Sequence, residues 1–123
     1  MTVLIETRHA AEFILSEANG QRSREAITIA SGAGIVAAGT VLGKVTASGK
    51  YLASAAGATD GSQTPAAIAI HGADASSADA TISAIVRDAE VNGNCLTYHA
   101  DRDQPAEKAA AKEALKGLGI IVR

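Results

Sequence analysis

Thr40-Val41-Leu42-Gly43-Lys44-Val45-Thr46-Ala47-Ser48-Gly49-Lys50-Tyr51-Leu52 decides the fold class. The aliphatic and β-branched residues from Thr40 to Thr46 favour extended backbone, and Ser48-Gly49 supplies the turn that sends the chain back through Lys50-Tyr51-Leu52. The reading is a β-hairpin. On its N-terminal side, Ala26-Ile27-Thr28-Ile29 alternates as a half-buried strand before Ser31-Gly32-Ala33-Gly34 breaks it. On its C-terminal side, a polar small-residue loop from Ser54 to Thr64 holds the turn signal Asp60-Gly61. A short apolar strand is expected over Ala66–Ile70, and a longer one over Thr81–Arg87 continuing through Val91. Asn92-Gly93 ends that strand, so Leu96-Thr97-Tyr98 is expected to pair back on it.

One helix is expected. Asp103 caps it, Pro105 sits in its first turn, and the residues from Ala106 to Leu115 are strong helix formers. Ala111, Ala114, Leu115 and Leu118 fall on one face, and Gly117 or Gly119 stops the helix. Ile120-Ile121-Val122 then reads as a strand tied into the core, because three branched side chains are poorly placed in a loose tail. The fold class is therefore mainly β with one C-terminal α-helix.

Residues 1–24 read as an arm and residues 25–123 as a single β-rich domain. Thr2-Val3-Leu4-Ile5 and Phe13-Ile14-Leu15 are apolar patches separated by polar and charged residues, and Asn19-Gly20 marks a turn. Such a segment either adds a strand to a partner's sheet edge or forms an edge strand of its own domain.

The 123 residues are 47% hydrophobic, yet Phe13, Tyr51 and Tyr98 are the only aromatics, so the core must be built from Ile, Val, Leu and Ala. A chain this short buries roughly 65% of its unfolded surface. At about 25 cal/mol per Å² of apolar burial, an Ala-rich monomer is only marginally stable, and oligomerisation is the natural remedy. A net charge of −2 and the scarcity of aromatics argue against direct nucleic-acid binding. No apolar run approaches the roughly 20 residues of a membrane span. Glu6, Arg8, His9 and Glu12 interrupt the N-terminal apolar stretch and argue against a secretory signal. Cys95, the sole cysteine, excludes an intrachain disulfide.

Four motifs suggest chemistry and fall short of it. Gly32-Ala33-Gly34-Ile35-Val36-Ala37 has the form of a dinucleotide fingerprint, but Gly39-Thr40-Val41 follows where a helix must begin, and no acidic residue lies between Glu25 and Asp60 to bind a ribose. His99, Asp101 and Asp103 alternate as metal ligands might on a strand, though a solvated loop before a capped helix accounts for them. Asp88 and Glu90 form a same-face carboxylate pair only on a regular strand, and acid–base work would further need a pocket that shifts their pKa values. Cys95 has no neighbouring Lys, Arg or His to activate it and reads as an inert thiol. The expectation is no catalytic residue, no cofactor and no metal.

Several stretches in order resemble the phage lambda-type head decoration protein family: Phe13 through Gly20 with Ser23-Arg24-Glu25, Ala38 through Lys44, Ala58-Thr59-Asp60-Gly61, Ile85 through Val91, and Leu115 through Arg123. The resemblance runs from about residue 11 to the C-terminus. It implies a small β-clip-like domain with an extended N-terminal arm. It also implies a structural, non-enzymatic role as a homotrimer at three-fold sites of an expanded head, cementing the major capsid protein of a tailed phage. The product would be made in the host bacterial cytoplasm and reside on the outer surface of the virion capsid. The capsid-facing arm would fall to Val3, Leu4, Ile5, Phe13, Ile14 and Leu15. The alternative is a β-clip or lipoyl-like binding or carrier module, since Gly39-Thr40-Val41-Leu42-Gly43 suits such domains and Lys50 beside Gly49 is its only candidate for modification.

Overall fold

The computed structural model describes residues 3–123. Its strands in chain order are β1 (Ile14–Glu17), β2 (Arg24–Ile29), β3 (Gly34–Val36), β4 (Val41–Lys44), β5 (Tyr51–Ala53), β6 (Pro65–Ala69), β7 (Ala73–Ala75), β8 (Ala80–Ile85), β9 (Ala89–Val91) and β10 (Ile120–Val122), with one helix, α1 (Pro105–Lys116), before the last. The mainly-β class with a single C-terminal helix is what the sequence predicts.

Strands β2, β5, β4, β6 and β8 close into a barrel, with β2 pairing antiparallel to β8 and parallel to β5. The hairpin read from Thr40–Leu52 forms one side of it, with Leu42 opposite Ala53 and Lys44 opposite Tyr51. A three-stranded sheet in the order β1-β9-β10 lies outside the barrel, and β3 and β7 form a separate antiparallel pair.

Alternation along the shared strands divides the core in two. Leu42, Ala67, Ala69, Ile82 and Ala84 join Ile27 and Ile29 in one cluster, to which β3 and β7 add Val36 and Ala75. Val41, Ile68 and Ile85 face the other way, into a second cluster with Phe13, Val91, Leu115 and Ile120. Strands β4, β6 and β8 are therefore covered on both faces. This explains why the Ala66–Ile70 stretch is a continuous apolar run rather than an alternating one.

The motif Gly39-Thr40-Val41-Leu42-Gly43 has two steric requirements. Gly39 has φ +84°, and a Cβ there would lie 2.5 Å from the Cys95 carbonyl oxygen. At Gly43, where the β4–β6 register shifts, an added Cβ would collide with the Ser62 backbone. Neither position admits a side chain without moving backbone.

Four local expectations are corrected. The strand from Thr81 does not run on to Val91, because Asp88 at φ +50° separates β8 from β9. Leu96-Thr97-Tyr98 makes no hairpin; Gly93–Cys95 is a short 3-10 turn, and Thr97 bridges in parallel to Thr40. The helix is preceded by Gln104, not Asp103, and has no side-chain cap. Gly34, expected in the break after Ile29, instead begins a strand with Ile35 and Val36, because Ala73–Ala75, distant in sequence, pairs with it. The terminal strand is as expected: β10 pairs parallel with β9, and Ile120 is fully buried.

Candidate functional site

Residues 3–10 belong to no strand or helix, and Val3, Leu4 and Ile5 are 78%, 90% and 84% exposed. The root of this segment is tied down. Arg8 donates from Nη2 to the Asn94 carbonyl at 2.8 Å and lies 3.6 Å from the Glu12 carboxylate. His9 Nε2 is 2.8 Å from Glu6 Oε1. At Ala11 the backbone takes a left-handed φ of +62°, unusual for a residue with a Cβ. Its N–H donates to Ile70 O at 3.0 Å, and the chain turns into the core.

The six residues proposed from sequence as the capsid-facing arm thus separate. Phe13 is fully buried in the second cluster, with Val41, Ile68 and Leu115, and its carbonyl accepts from Asn92 N–H at 2.7 Å. Ile14 is half-buried opposite Val91. Leu15, on the outer face of β1, is 55% exposed. Val3, Leu4, Ile5 and Leu15 are accessible to a partner, whereas Phe13 is committed to the fold.

The other motifs resolve into structural roles. In the fingerprint-like stretch, strand β3 follows the glycines where phosphate binding would require a helix N-terminus. His99 Nδ1 lies 3.1 Å from Asp101 Oδ1, but that carboxylate already accepts the N–H groups of Ala56 at 2.9 Å and Gly57 at 3.1 Å. These backbone donors, Gly57 first, hold the Asp101 carboxyl below the ordinary aspartate range. Among the described residues no group of three or more His, Cys, Asp or Glu side chains is placed to hold a metal. Glu90 accepts from Arg123 at 2.8 Å and Ser16 at 3.1 Å, which lowers its carboxyl pKa, while Asp88 lies outside the strands. Lys50 Nζ is 2.7 Å from Asp79 Oδ2. Half-buried Cys95 packs against the same cluster as Phe13.

Two polar anchors were not apparent from sequence. Arg102 is 4% exposed and donates to Ser54 O at 2.8 Å, Ser54 Oγ at 3.2 Å, Gln63 O at 2.6 Å and Glu107 O at 3.1 Å. Together with Asp101 it fastens both ends of the Ser54–Thr64 loop to the start of the helix. Ser23, fully enclosed, accepts Ala18 N–H at 2.9 Å and donates to Asp88 O at 2.7 Å, joining the β1–β2 connection to the β8–β9 break. Most buried polar side chains are paired in this way. Nothing in the local run Asp101-Arg102-Asp103 distinguishes its middle residue from an exposed charge.

The molecule therefore offers an exposed apolar segment on a tethered root. The family model for Bacteriophage lambda head decoration protein D matches residues 3–120. The chain belongs to this family. The match takes in residues 3–10, which lie outside the resemblance read from sequence. No curated protein matches the chain. Membership supports a capsid decoration role on a phage head and points to a structural rather than catalytic protein. No helix among the described residues is long and apolar enough to cross a membrane.

Proposed function

We propose that this decoration protein binds as a homotrimer at the three-fold sites of an expanded head, contacts the major capsid protein of a tailed phage, and stabilises the shell from its outer surface. The contiguous exposed run Val3-Leu4-Ile5, inside the family match, carries the reading. Burying one such side chain is worth about 1.5–3 kcal/mol. Three arms on one trimer raise the effective concentration of the second and third contacts, so modest single-arm affinities sum to firm attachment. Leu15 is a second exposed apolar side chain, while Phe13 and Ile14 anchor the root of the arm. Attachment of this kind needs shape and apolar burial rather than a reactive side chain. The chain would be synthesised in the cytoplasm of the host bacterium before joining the capsid.

Mixing the purified protein with expanded, undecorated capsids is expected to give saturable binding. Absence of binding, together with a monomer in light scattering, would overturn the proposal. Deleting residues 1–7 tests the arm without touching the core. It is expected to leave the oligomer and its melting temperature unchanged and to abolish attachment, whereas a shortened protein that still decorates shells refutes the arm assignment.

A further inference from the structure

Three Asn-Gly or Asp-Gly pairs occur in the chain: Asn19-Gly20, Asp60-Gly61 and Asn92-Gly93. Each has the sequence that favours succinimide formation, because glycine leaves its amide nitrogen sterically open to attack the preceding side-chain carbonyl. The fold treats them differently.

Two of the pairs are pinned. The Asp60 carboxylate accepts both N–H and Oγ–H of Ser62, at 3.0 and 2.6 Å, and Gly61 N–H donates to Gln63 Oε1 at 2.8 Å. The Asn92 side chain accepts from Asn94 N–H at 3.0 Å. Gly93 N–H donates to Arg123 O at 2.9 Å, and Gly93 is packed so closely that an added Cβ would lie 3.0 Å from Val122 Cγ1. In both pairs the nucleophilic nitrogen is engaged and the side-chain carbonyl is held by another donor.

Asn19-Gly20 has neither restraint. Both residues are exposed, the Gly20 N–H donates no hydrogen bond among the described residues, and Gly20, at φ +69°, has nothing within 4 Å of where a Cβ would stand. We infer that Asn19 is a site of spontaneous backbone modification, and that Asp60 and Asn92 are protected from the same reaction by the fold. Hydroxide removes the Gly20 amide proton, and the nitrogen attacks Asn19 Cγ. The new N–Cγ bond closes the succinimide as the Cγ–Nδ2 bond breaks, and the leaving nitrogen takes a proton from water, which regenerates hydroxide, and departs as ammonia. Water then opens the ring at either carbonyl, giving aspartate or isoaspartate. No electron transfer is involved.

Either product adds a negative charge to the β1–β2 connection, beside the Glu17–Arg24 pair at 3.0 Å. Isoaspartate also lengthens the backbone inside the span closed by Ala18 N–H to Ser23 Oγ.

The test is to age the folded full chain in mildly alkaline buffer and follow each pair by peptide mapping with isoaspartate detection, with a parallel sample in denaturant. In the folded protein, conversion is expected at Asn19. Conversion at Asn92 and Asp60 should be slower than in denaturant by a factor of about five or more, since opening at least one hydrogen bond must precede attack. Gly20→Ala should slow the Asn19 reaction while leaving the other two sites unchanged. Conversion of Asn92 or Asp60 ahead of Asn19 in the folded chain, or folded Asn19 reacting far more slowly than in denaturant, would overturn the inference.

Discussion

The barrel interior and the layer outside it share the strands β4, β6 and β8 but are filled by different side chains. Inward, β6 and β8 contribute Ala67, Ala69 and Ala84, with Ile82, Ile27, Ile29 and Leu42 supplying the bulk. Outward, the same strands present Val41, Ile68 and Ile85 to Phe13, Leu115 and Ile120. A barrel closed by so few strands encloses little space, so several inward positions admit only a methyl group. The outer layer must span the gap between the barrel wall, the helix and the β1-β9-β10 sheet, and it takes the one phenylalanine in the chain. The alanines at 67, 69 and 84 thus suit the curved interior, and the phenylalanine sits where the barrel wall meets the outer layer.

The largest expected effect is in the outer layer. Phe13→Ala should cost about 3–5 kcal/mol, read as a lowered midpoint in denaturant titration; a loss below about 1 kcal/mol would show that this layer collapses freely and would break the contrast. The inner layer should fail in the opposite direction. Ala69→Leu forces extra volume into the barrel and is expected to cost about 1–3 kcal/mol, whereas unchanged stability would mean that the interior has unfilled space.

The smallest effect sharpens the comparison by touching neither core. The folded-state pKa of Asp101 is depressed, so its contribution is fully present above the ordinary aspartate value and is lost as pH falls through the depressed one. Below that range, protection factors at Ala56 and Gly57, corrected for the intrinsic pH dependence of amide exchange, should fall; Asp101→Asn should show the same loss already at neutral pH, and the protection of buried Ile68 and Ile85 should not follow. Parallel loss of protection at all four would mean that the Ser54–Thr64 loop and the barrel open together.

The parts of this architecture that the sequence reveals are local. Ser48-Gly49 between two extended stretches, the Pro105–Lys116 helix and the branched run at Ile120 each carry their own signal within a few residues. What the sequence conceals is non-local pairing. Gly34-Ile35-Val36 becomes a strand only because Ala73–Ala75 meets it, and barrel closure depends on Ile29 lying parallel to Tyr51. Asp88 interrupts a stretch whose residue types all suit a strand, through a left-handed backbone that Asp tolerates better than most residues. At the arm, the apolar character of Val3-Leu4-Ile5 and Phe13-Ile14-Leu15 is equally visible in sequence. The fate of the two patches differs because only the second can reach Ile70, Val91 and Asn92, and that reach is a property of the assembled fold.

The β1-β9-β10 sheet has a consequence for the order of events during synthesis. Its central strand pairs with Ile14–Glu17 on one side and Ile120–Val122 on the other, so segments far apart in sequence meet on β9. Contacts this distant in sequence slow folding. A ribosome that has translated the barrel strands and even the helix still carries a chain whose β9 edge is bare and whose outer layer lacks Ile120. The segment that leads into β1 gains its final support only when that edge is filled, so the outer layer is the last part of the fold to be completed.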